Sequence, residues 1–163
     1  MNTIIKKKKK AFTLIELIIV LAIMAIIAAI AIPNFTAVRD NSKVKADISS
    51  CQTIQRAIMI LVADGTITPA TTSALTKTAT FANGNVTSAT LVAAMTNWDT
   101  STTNDIEHAK FLEAIKQVKS PQNIKGVTYN ATTNSFAVGT ATAAANYVVT
   151  IDNNGNIGVN ITN

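Results

Sequence analysis

The sequence predicts an α+β protein. A long N-terminal α-helix, apolar in its first half and amphipathic in its second, packs on a C-terminal antiparallel β-sheet of three or four strands. Three observations predict this fold. Every residue from 17 to 32 is apolar. Hydrophobic side chains then recur at helical spacing over residues 35–61. Short β-rich runs separated by turn residues follow over residues 126–161.

The basic charge of the chain is concentrated at its N-terminus. The net charge is +5 and residues 6–10 are five consecutive lysines, so the chain from residue 12 onward holds nine basic and nine acidic side chains. The sequence gives no support to nucleic-acid binding, because such binding requires basic charge spread over a domain surface. A lysine run directly before an apolar segment instead favours retention of the leader on the cytoplasmic side of a membrane.

The apolar segment at residues 11–32 is interrupted only by Thr13 and Glu16. It is longer than the stretch of about 7–15 residues typical of a secretory signal peptide, and no small-residue cleavage site follows it. A transmembrane helix needs about 20 mostly apolar residues. The segment therefore predicts a membrane-spanning helix with the rest of the chain outside.

Glu16 is the feature that a plain membrane anchor does not explain. A carboxylate in an apolar helix costs about 2.5–3.5 kcal/mol at the bilayer centre and less near the interface. One interpretation is that Glu16 lies at the headgroups and is tolerated there. The other is that it finds a cationic partner in an assembled state.

Residues 9–17 read Lys-Lys-Ala-Phe-Thr-Leu-Ile-Glu-Leu, and an apolar stretch follows as far as Pro33. This segment resembles the class III leader and first helix of type IV pilins and of the related pseudopilins. The resemblance implies that a prepilin peptidase cuts between Ala11 and Phe12 and that Phe12 is then N-methylated. It also implies an assembly salt bridge from Glu16 to the N-terminus of a neighbouring subunit and a helix kink at Pro33. The family usually has glycine before the cut. Since alanine is the smallest substitute, we expect cleavage to persist.

Five segments are predicted along the chain. Residues 1–11 form a cleaved basic leader, and residues 12–33 form the transmembrane and filament-core helix. Residues 34–64 form an amphipathic helix that continues the first one. Residues 65–125 form a connecting region with short helices, and residues 126–163 form the antiparallel sheet.

The amphipathic half of the helix is predicted from two opposed sets of side chains. The apolar stripe comprises Phe35, Val38, Val44, Ile48, Cys51, Ile54, Ile58 and Leu61. The polar face comprises Arg39, Asp40, Lys43, Lys45, Asp47, Gln52, Gln55 and Arg56. Because Cys51 lies on the stripe, we interpret it as a small buried hydrophobe and not as a reactive thiol. Gly65 is the expected stop signal.

The connecting region is predicted to hold a short helix within residues 87–96 and a second one over residues 105–119. Asn104 is the expected N-cap of the second helix, with Glu107 three residues on. His108 lies on this helix without a cysteine or second histidine nearby in the sequence, and it is not predicted to be a metal ligand.

The C-terminal third changes to strand chemistry. Strands are predicted at residues 126–129, 135–138, 147–151 and 157–161. Residues 130–134 and 152–156 are predicted to be hairpin turns between them.

These patterns predict a structural subunit of a type IV pilus. Its expected partners are further copies of itself in a helical homopolymer, a prepilin peptidase, the pilus assembly platform and, before assembly, the lipid bilayer. The precursor is expected in the inner or cytoplasmic membrane and the assembled subunit in a cell-surface filament. One alternative is a pseudopilin of a type II secretion or DNA-uptake machine, and a distant one is a membrane-anchored exported binding protein. No catalytic residue, metal or cofactor is predicted.

Overall fold

The computed structural model describes residues 12–69, 76–87, 90–91, 95–98, 105–123, 125–141 and 143–162; at residues 33, 34 and 105 the description is limited to the backbone. The chain divides into two compact units, Met1–Arg39 and Asp40–Asn163. The elements in chain order are α1 (Leu14–Ala63), β1 (Lys77–Phe81), β2 (Met95–Thr96), α2 (Asp105–Ile115), β3 (Val127–Asn130), β4 (Ser135–Val138), β5 (Asn146–Ile151) and β6 (Ile157–Thr162).

The first helix, α1, ends where the sequence predicts. Gly65 has a φ of 78°, a left-handed conformation that suits glycine at a helix C-terminus. Its N–H donates to the carbonyl of Val62 at 3.2 Å, and the N–H of Asp64 donates to the carbonyl of Ile60 at 2.9 Å. These bonds satisfy carbonyls that the end of a helix otherwise leaves unpaired.

The sheet has six strands in the order β2-β1-β5-β6-β3-β4, and all neighbouring strands are antiparallel. The predicted α+β class and the four predicted strands and both hairpins are confirmed. The predicted count of three or four strands is wrong, because β1 and β2 come from the connecting region. β2 has only two residues. The inward positions of β1 include Lys77, so the hydrophobic alternation of this strand is limited to Ala79 and Phe81.

The hydrophobic core lies in the C-terminal unit. From α1 it takes Cys51, Ile54 and Ile58, all fully buried, and this confirms the predicted stripe in that part of the helix. The sheet contributes Phe81, Val127, Tyr147, Val149, Ile151, Ile157, Val159 and Ile161, and α2 contributes Phe111 and Ile115. Phe35 and Val38 belong to the N-terminal unit and are exposed at 69% and 63%.

Two polar residues of α1 that were predicted to face solvent are buried instead. Asp47 is 1% exposed and Gln55 is 9% exposed, so their placement on the solvent face was wrong. The amide Nε2 of Gln55 donates to the backbone carbonyl of Ile157 at 2.7 Å. The Asp47 carboxylate accepts from the backbone N–H of Gln122 at 2.9 Å and of Asn123 at 2.7 Å. The chain that follows α2 is thereby fastened to α1.

Replacing Asp47 by alanine should destabilise the C-terminal unit substantially. The variant leaves two backbone N–H groups without their acceptor, and an unsatisfied buried donor costs about 1–3 kcal/mol. We expect a loss of roughly 2–4 kcal/mol in the free energy of unfolding, measured by denaturant titration of the full chain in detergent. The matched variant Asp47→Asn keeps one acceptor oxygen and should lose less. Equal stability of Asp47→Ala and the wild type would contradict this role.

The second helix, α2, starts where predicted and ends four residues earlier, at Ile115. The proposed N-cap Asn104 lies outside the described residues. The capping contact predicted for Glu107 therefore stays a prediction. The Glu107 carboxylate accepts from the N–H of Thr68 at 2.9 Å and from Lys77 Nζ at 3.1 Å. In the predicted helix within residues 87–96, the structure has helical residues at 90–91 and strand β2 at 95–96.

Burial at the centre of the core perturbs two acidic groups. Burial, with a smaller contribution from the charge of Asp47, raises the pKa of the Cys51 thiol to about 12. Burial likewise raises the pKa of the Tyr147 phenol to about 12, and its hydroxyl donates to the carbonyl of Lys119 at 2.9 Å. Each group is neutral in the folded state over a pH range where the unfolded chain would ionise.

The C-terminal unit should therefore lose stability in alkali. Both folded pKa values are raised, so this stability is fully present below the unfolded values of about 9 and 10 and is lost as pH rises towards 12. Denaturant titrations from pH 8 to 12 should show the loss. In the variants Cys51→Ala and Tyr147→Phe, the free energy of unfolding should each time fall less steeply with pH. A free energy of unfolding that stays constant to pH 12 would contradict the assignment.

Candidate membrane and assembly segment

Helix α1 begins with a reciprocal capping arrangement between Thr13 and Glu16. Glu16 Oε2 accepts from the backbone N–H and from the hydroxyl of Thr13, each at 2.8 Å. The N–H of Glu16 donates to Thr13 Oγ1 at 3.4 Å. This is the capping box, in which the N-cap and N3 residues satisfy each other's backbone N–H groups.

The capping role of Glu16 was not predicted from the sequence, where its charge was interpreted either as tolerated at the headgroups or as paired with a cation. The signal was present, since a Thr followed three residues later by a Glu at the start of an apolar run is the capping-box pattern. The carboxylate also lies at the positive end of the helix dipole, which stabilises a negative charge. The negative charge of Glu16 is thus partly stabilised by groups of its own chain.

The rest of this segment is an apolar surface. Most of its large side chains are more than half exposed, among them Leu14 at 75%, Ile26 at 64% and Ile32 at 65%. Among the described residues, α1 is the one helix whose length and composition suffice to cross a membrane, and none of its most apolar stretch is buried within the chain. A surface of this kind requires lipid or other apolar side chains around it.

Phe12 and Glu16, which are predicted for processing and assembly, both lie at the start of α1. Ala11 is outside the described residues. Phe12 directly precedes the N-cap Thr13 and is 80% exposed. Pro33 lies inside α1, and the predicted kink there stays a prediction.

Glu16 is the only acidic residue in residues 12–39, and Arg39 is the only basic one. The two are separated by more than six turns of the same helix at 3.6 residues per turn. A cation that pairs with Glu16 must therefore come from outside residues 12–39 or from another molecule.

The C-terminal unit holds a buried ion pair. Lys77 Nζ lies 3.1 Å from Glu107 Oε2, with the two side chains 6% and 7% exposed. The Thr68 hydroxyl donates to Glu107 Oε1 at 3.0 Å, and Lys77 Nζ lies 5.1 Å from the centroid of the Trp98 ring. Both charges are satisfied by these contacts. The described residues contain no group of three or more side chains suited to hold a metal ion.

The β5–β6 turn also uses its carboxylate internally. Asp152 Oδ1 accepts from the N–H groups of Asn154 and Asn156, each at 2.8 Å, and Oδ2 accepts from Asn156 Nδ2 at 2.8 Å. Slight burial opposes ionisation, but these hydrogen bonds outweigh it and hold the pKa of Asp152 below its usual range. The carboxylate is a structural part of the turn.

Comparison with known proteins confirms the resemblance of the N-terminal segment to type IV pilins and pilin-like proteins. Residues 6–32 match the family described as the prokaryotic N-terminal methylation motif. The chain is 44% identical over 81 residues to "Prepilin peptidase-dependent protein A" of Clostridium perfringens (strain 13 / Type A). That alignment covers 50% of this chain and 56% of the relative. No solved structure matches the chain.

Proposed function

We propose that the protein is a structural subunit of a type IV pilus, made as a membrane-anchored precursor and assembled through the first half of α1. The observation that carries the proposal is the exposed apolar half of α1. It begins with an acidic residue, Glu16, that caps the helix together with Thr13 and lies inside a methylation motif. A plain anchor needs length and apolarity but no carboxylate. A filament subunit uses the apolar surface and the carboxylate, because its helix leaves the lipid and is then surrounded by copies of itself.

Processing comes first in this proposal. The lysine-rich leader stays cytoplasmic, a prepilin peptidase cuts between Ala11 and Phe12, and Phe12 becomes the methylated N-terminus. The similarity to a relative named for its dependence on prepilin peptidase supports this step. The cut leaves a positively charged amine four residues before Glu16.

Assembly then removes the helix from the bilayer. In lipid, the Thr13 hydrogen bonds lower the cost of burying the Glu16 carboxylate, but they supply no counter-charge. Packing against a neighbouring subunit supplies one, the N-terminal amine, and buries the apolar side chains of both helices. Since the contact repeats from each subunit to the next without closing, it gives an open fibre.

Intact-mass analysis of the full chain co-expressed with a prepilin peptidase tests the first step. We expect loss of residues 1–11 and the gain of one methyl group. Ala11→Gly should be processed at least as fast, and Ala11→Glu should remain uncut because a large charged residue replaces a small one. A wild-type chain that keeps Met1, or that is cut at another bond, would overturn the proposal.

A further inference from the structure

One end of the C-terminal unit, where α1 enters it, carries a surplus of positive charge. Its lysines are Lys43 and Lys45 on α1 and Lys116, Lys119 and Lys125 on the chain that follows α2. Asp47 holds that chain against α1 through the N–H of Asn123. Surface grooves bring the two sets together, since Lys43 and Lys125 line one groove and Lys116 and Lys119 line another with Ser49 of α1.

Three carboxylates lie near these five lysines. Glu113 lines the groove of Lys116 and Lys119, but it is paired with Lys110 at 3.4 Å. Asp40 lies 4.0 Å from Lys43 Nζ and is mostly exposed, and the Asp47 carboxylate is buried under backbone N–H groups. In the part of the chain that the structure describes, the other four lysines form no ion pair. This surface is called the basic end below.

The opposite end of the same unit is acidic. Asp64 directly follows α1, and Asp152 lies in the β5–β6 turn. The turn lies beside the end of α1, because a Cβ on Gly155 would be 3.6 Å from Val62 Cγ1. The Thr66 hydroxyl and N–H hold the pKa of Asp64 below its usual range, and Asp152 is shifted in the same direction. Both carboxylates are therefore ionised at neutral pH.

The lysine at this acidic end, Lys110, already forms an ion pair. Lys110 Nζ lies 3.4 Å from Glu113 Oε2, so it offsets Asp64 only in part. From Lys43 to Asp64 the helix rises about 30 Å at 1.5 Å per residue. Lys43 and Asp64 are thus about four Debye lengths apart at physiological ionic strength. The groove of Lys116 and Lys119 reaches Thr53 of α1, about two Debye lengths from Asp64.

We propose that the acidic end of one copy, formed by Asp64 and the β5–β6 turn, docks on the basic end of the next copy. The contact joins two different surfaces of the same chain, so it repeats head to tail and extends a fibre. The inference rests on the proposed filament function and names a second subunit interface, separate from the apolar helix. Charge complementarity of this kind sets register and speeds encounter.

A second copy fits the charges better than another partner does. A polyanion or an anionic lipid surface would use the basic end and give the acidic end no role. A second copy engages both, and the two surfaces come in equal numbers on every subunit.

Charge substitutions at both ends test the interface in cells that express the full chain. Lys119→Glu with Lys125→Glu reverses two charges of the basic end, and both side chains are exposed. Asn153→Lys with Asn154→Lys adds positive charge at the acidic end and keeps Asp152. Each pair should lower the filament protein in the sheared surface fraction by roughly fivefold, since exposed ion pairs contribute about 0.2–1 kcal/mol each. The variant with all four substitutions should recover a large part of the lost filament yield.

The control is Arg56→Glu, a charge reversal at an exposed position of α1 between the two ends, which should leave filament yield unchanged. Leader removal is measured in parallel by intact mass. Processed protein whose filament yield is unaffected by either pair would overturn this interface while the proposed function stands. An effect of the basic-end pair alone would also overturn it and point to a different anionic partner. Loss of leader removal in the wild type would instead contradict the proposed function.

Discussion

Glu16→Ala should insert into the membrane normally and yield roughly tenfold less filament, or none, because a loss of about 1.4 kcal/mol per contact corresponds to a tenfold change. The apolar stretch that directs insertion is unchanged. Under the proposed function, the assembled state loses the carboxylate that pairs with the N-terminal amine of the neighbouring subunit. The amine is then buried beside apolar helices without a counter-charge, which is costly. Membrane fractionation and the yield of sheared filaments measure the two effects separately.

Glu16→Gln is the matched variant that separates pairing from capping. Glutamine also serves at the N3 position of a capping box, so the Thr13 contacts survive and only the charge is lost. We expect Glu16→Gln to assemble almost as poorly as Glu16→Ala. Thr13→Ala removes the hydroxyl that caps the helix and keeps the carboxylate, so it should retain most of its filaments. Normal assembly by Glu16→Gln would sink the pairing account and leave capping as the role of Glu16.

Lys77→Met should strongly destabilise the C-terminal unit. It leaves the Glu107 carboxylate buried without its cation, and breaking a buried ion pair from one side costs about 3–5 kcal/mol. The contact of the ammonium group with the Trp98 ring is lost as well. Denaturant unfolding of the full chain in detergent, monitored by tryptophan fluorescence, measures the change because Trp98 is the only tryptophan.

The double variant Lys77→Met with Glu107→Gln tests whether the uncompensated charge is the cause. The neutral amide fits the same space and still accepts from the hydroxyl of Thr68. Its stability should lie well above that of Lys77→Met, since the replacement of both charges of a buried pair is often close to neutral. If the double variant is no more stable than Lys77→Met alone, packing and not charge explains the loss.

The parts of the fold that rest on hydrophobic periodicity were predictable from the sequence. The end of α1 at a glycine, the buried stripe through Cys51, Ile54 and Ile58, and both hairpins of the C-terminal third follow from local patterns. These patterns work because the same residues that form each element also bury its inner face.

The parts that depend on polar contacts far apart in sequence were not predictable. Strand β1 places Lys77 inward, and only the pairing with Glu107, 30 residues later, makes that burial tolerable. Asp47 was assigned to the solvent face because its partners are backbone N–H groups 75 and 76 residues away. Periodicity carries no information about such partners.

At the candidate site, too, some features were predictable from the sequence and others were not. The methylation motif and the apolar helix were apparent from residues 6–32, because the motif is local. The capping contacts of Glu16 with Thr13 are also local and were not predicted, although the two residues have the spacing of a capping box. The charge separation between the two ends of the C-terminal unit required the structure, because it depends on where the chain after α2 and the β5–β6 turn meet α1.

The most direct test of the account is the intact mass of the protein recovered from sheared cell-surface material. The account predicts a chain that starts at Phe12, carries one extra methyl group and lacks residues 1–11. Processed protein found in the membrane but absent from the sheared fraction would favour a short pseudopilus over a surface pilus. A chain that retains Met1 through Ala11 would contradict the account, because neither the amine of Phe12 nor its pairing with Glu16 would then exist.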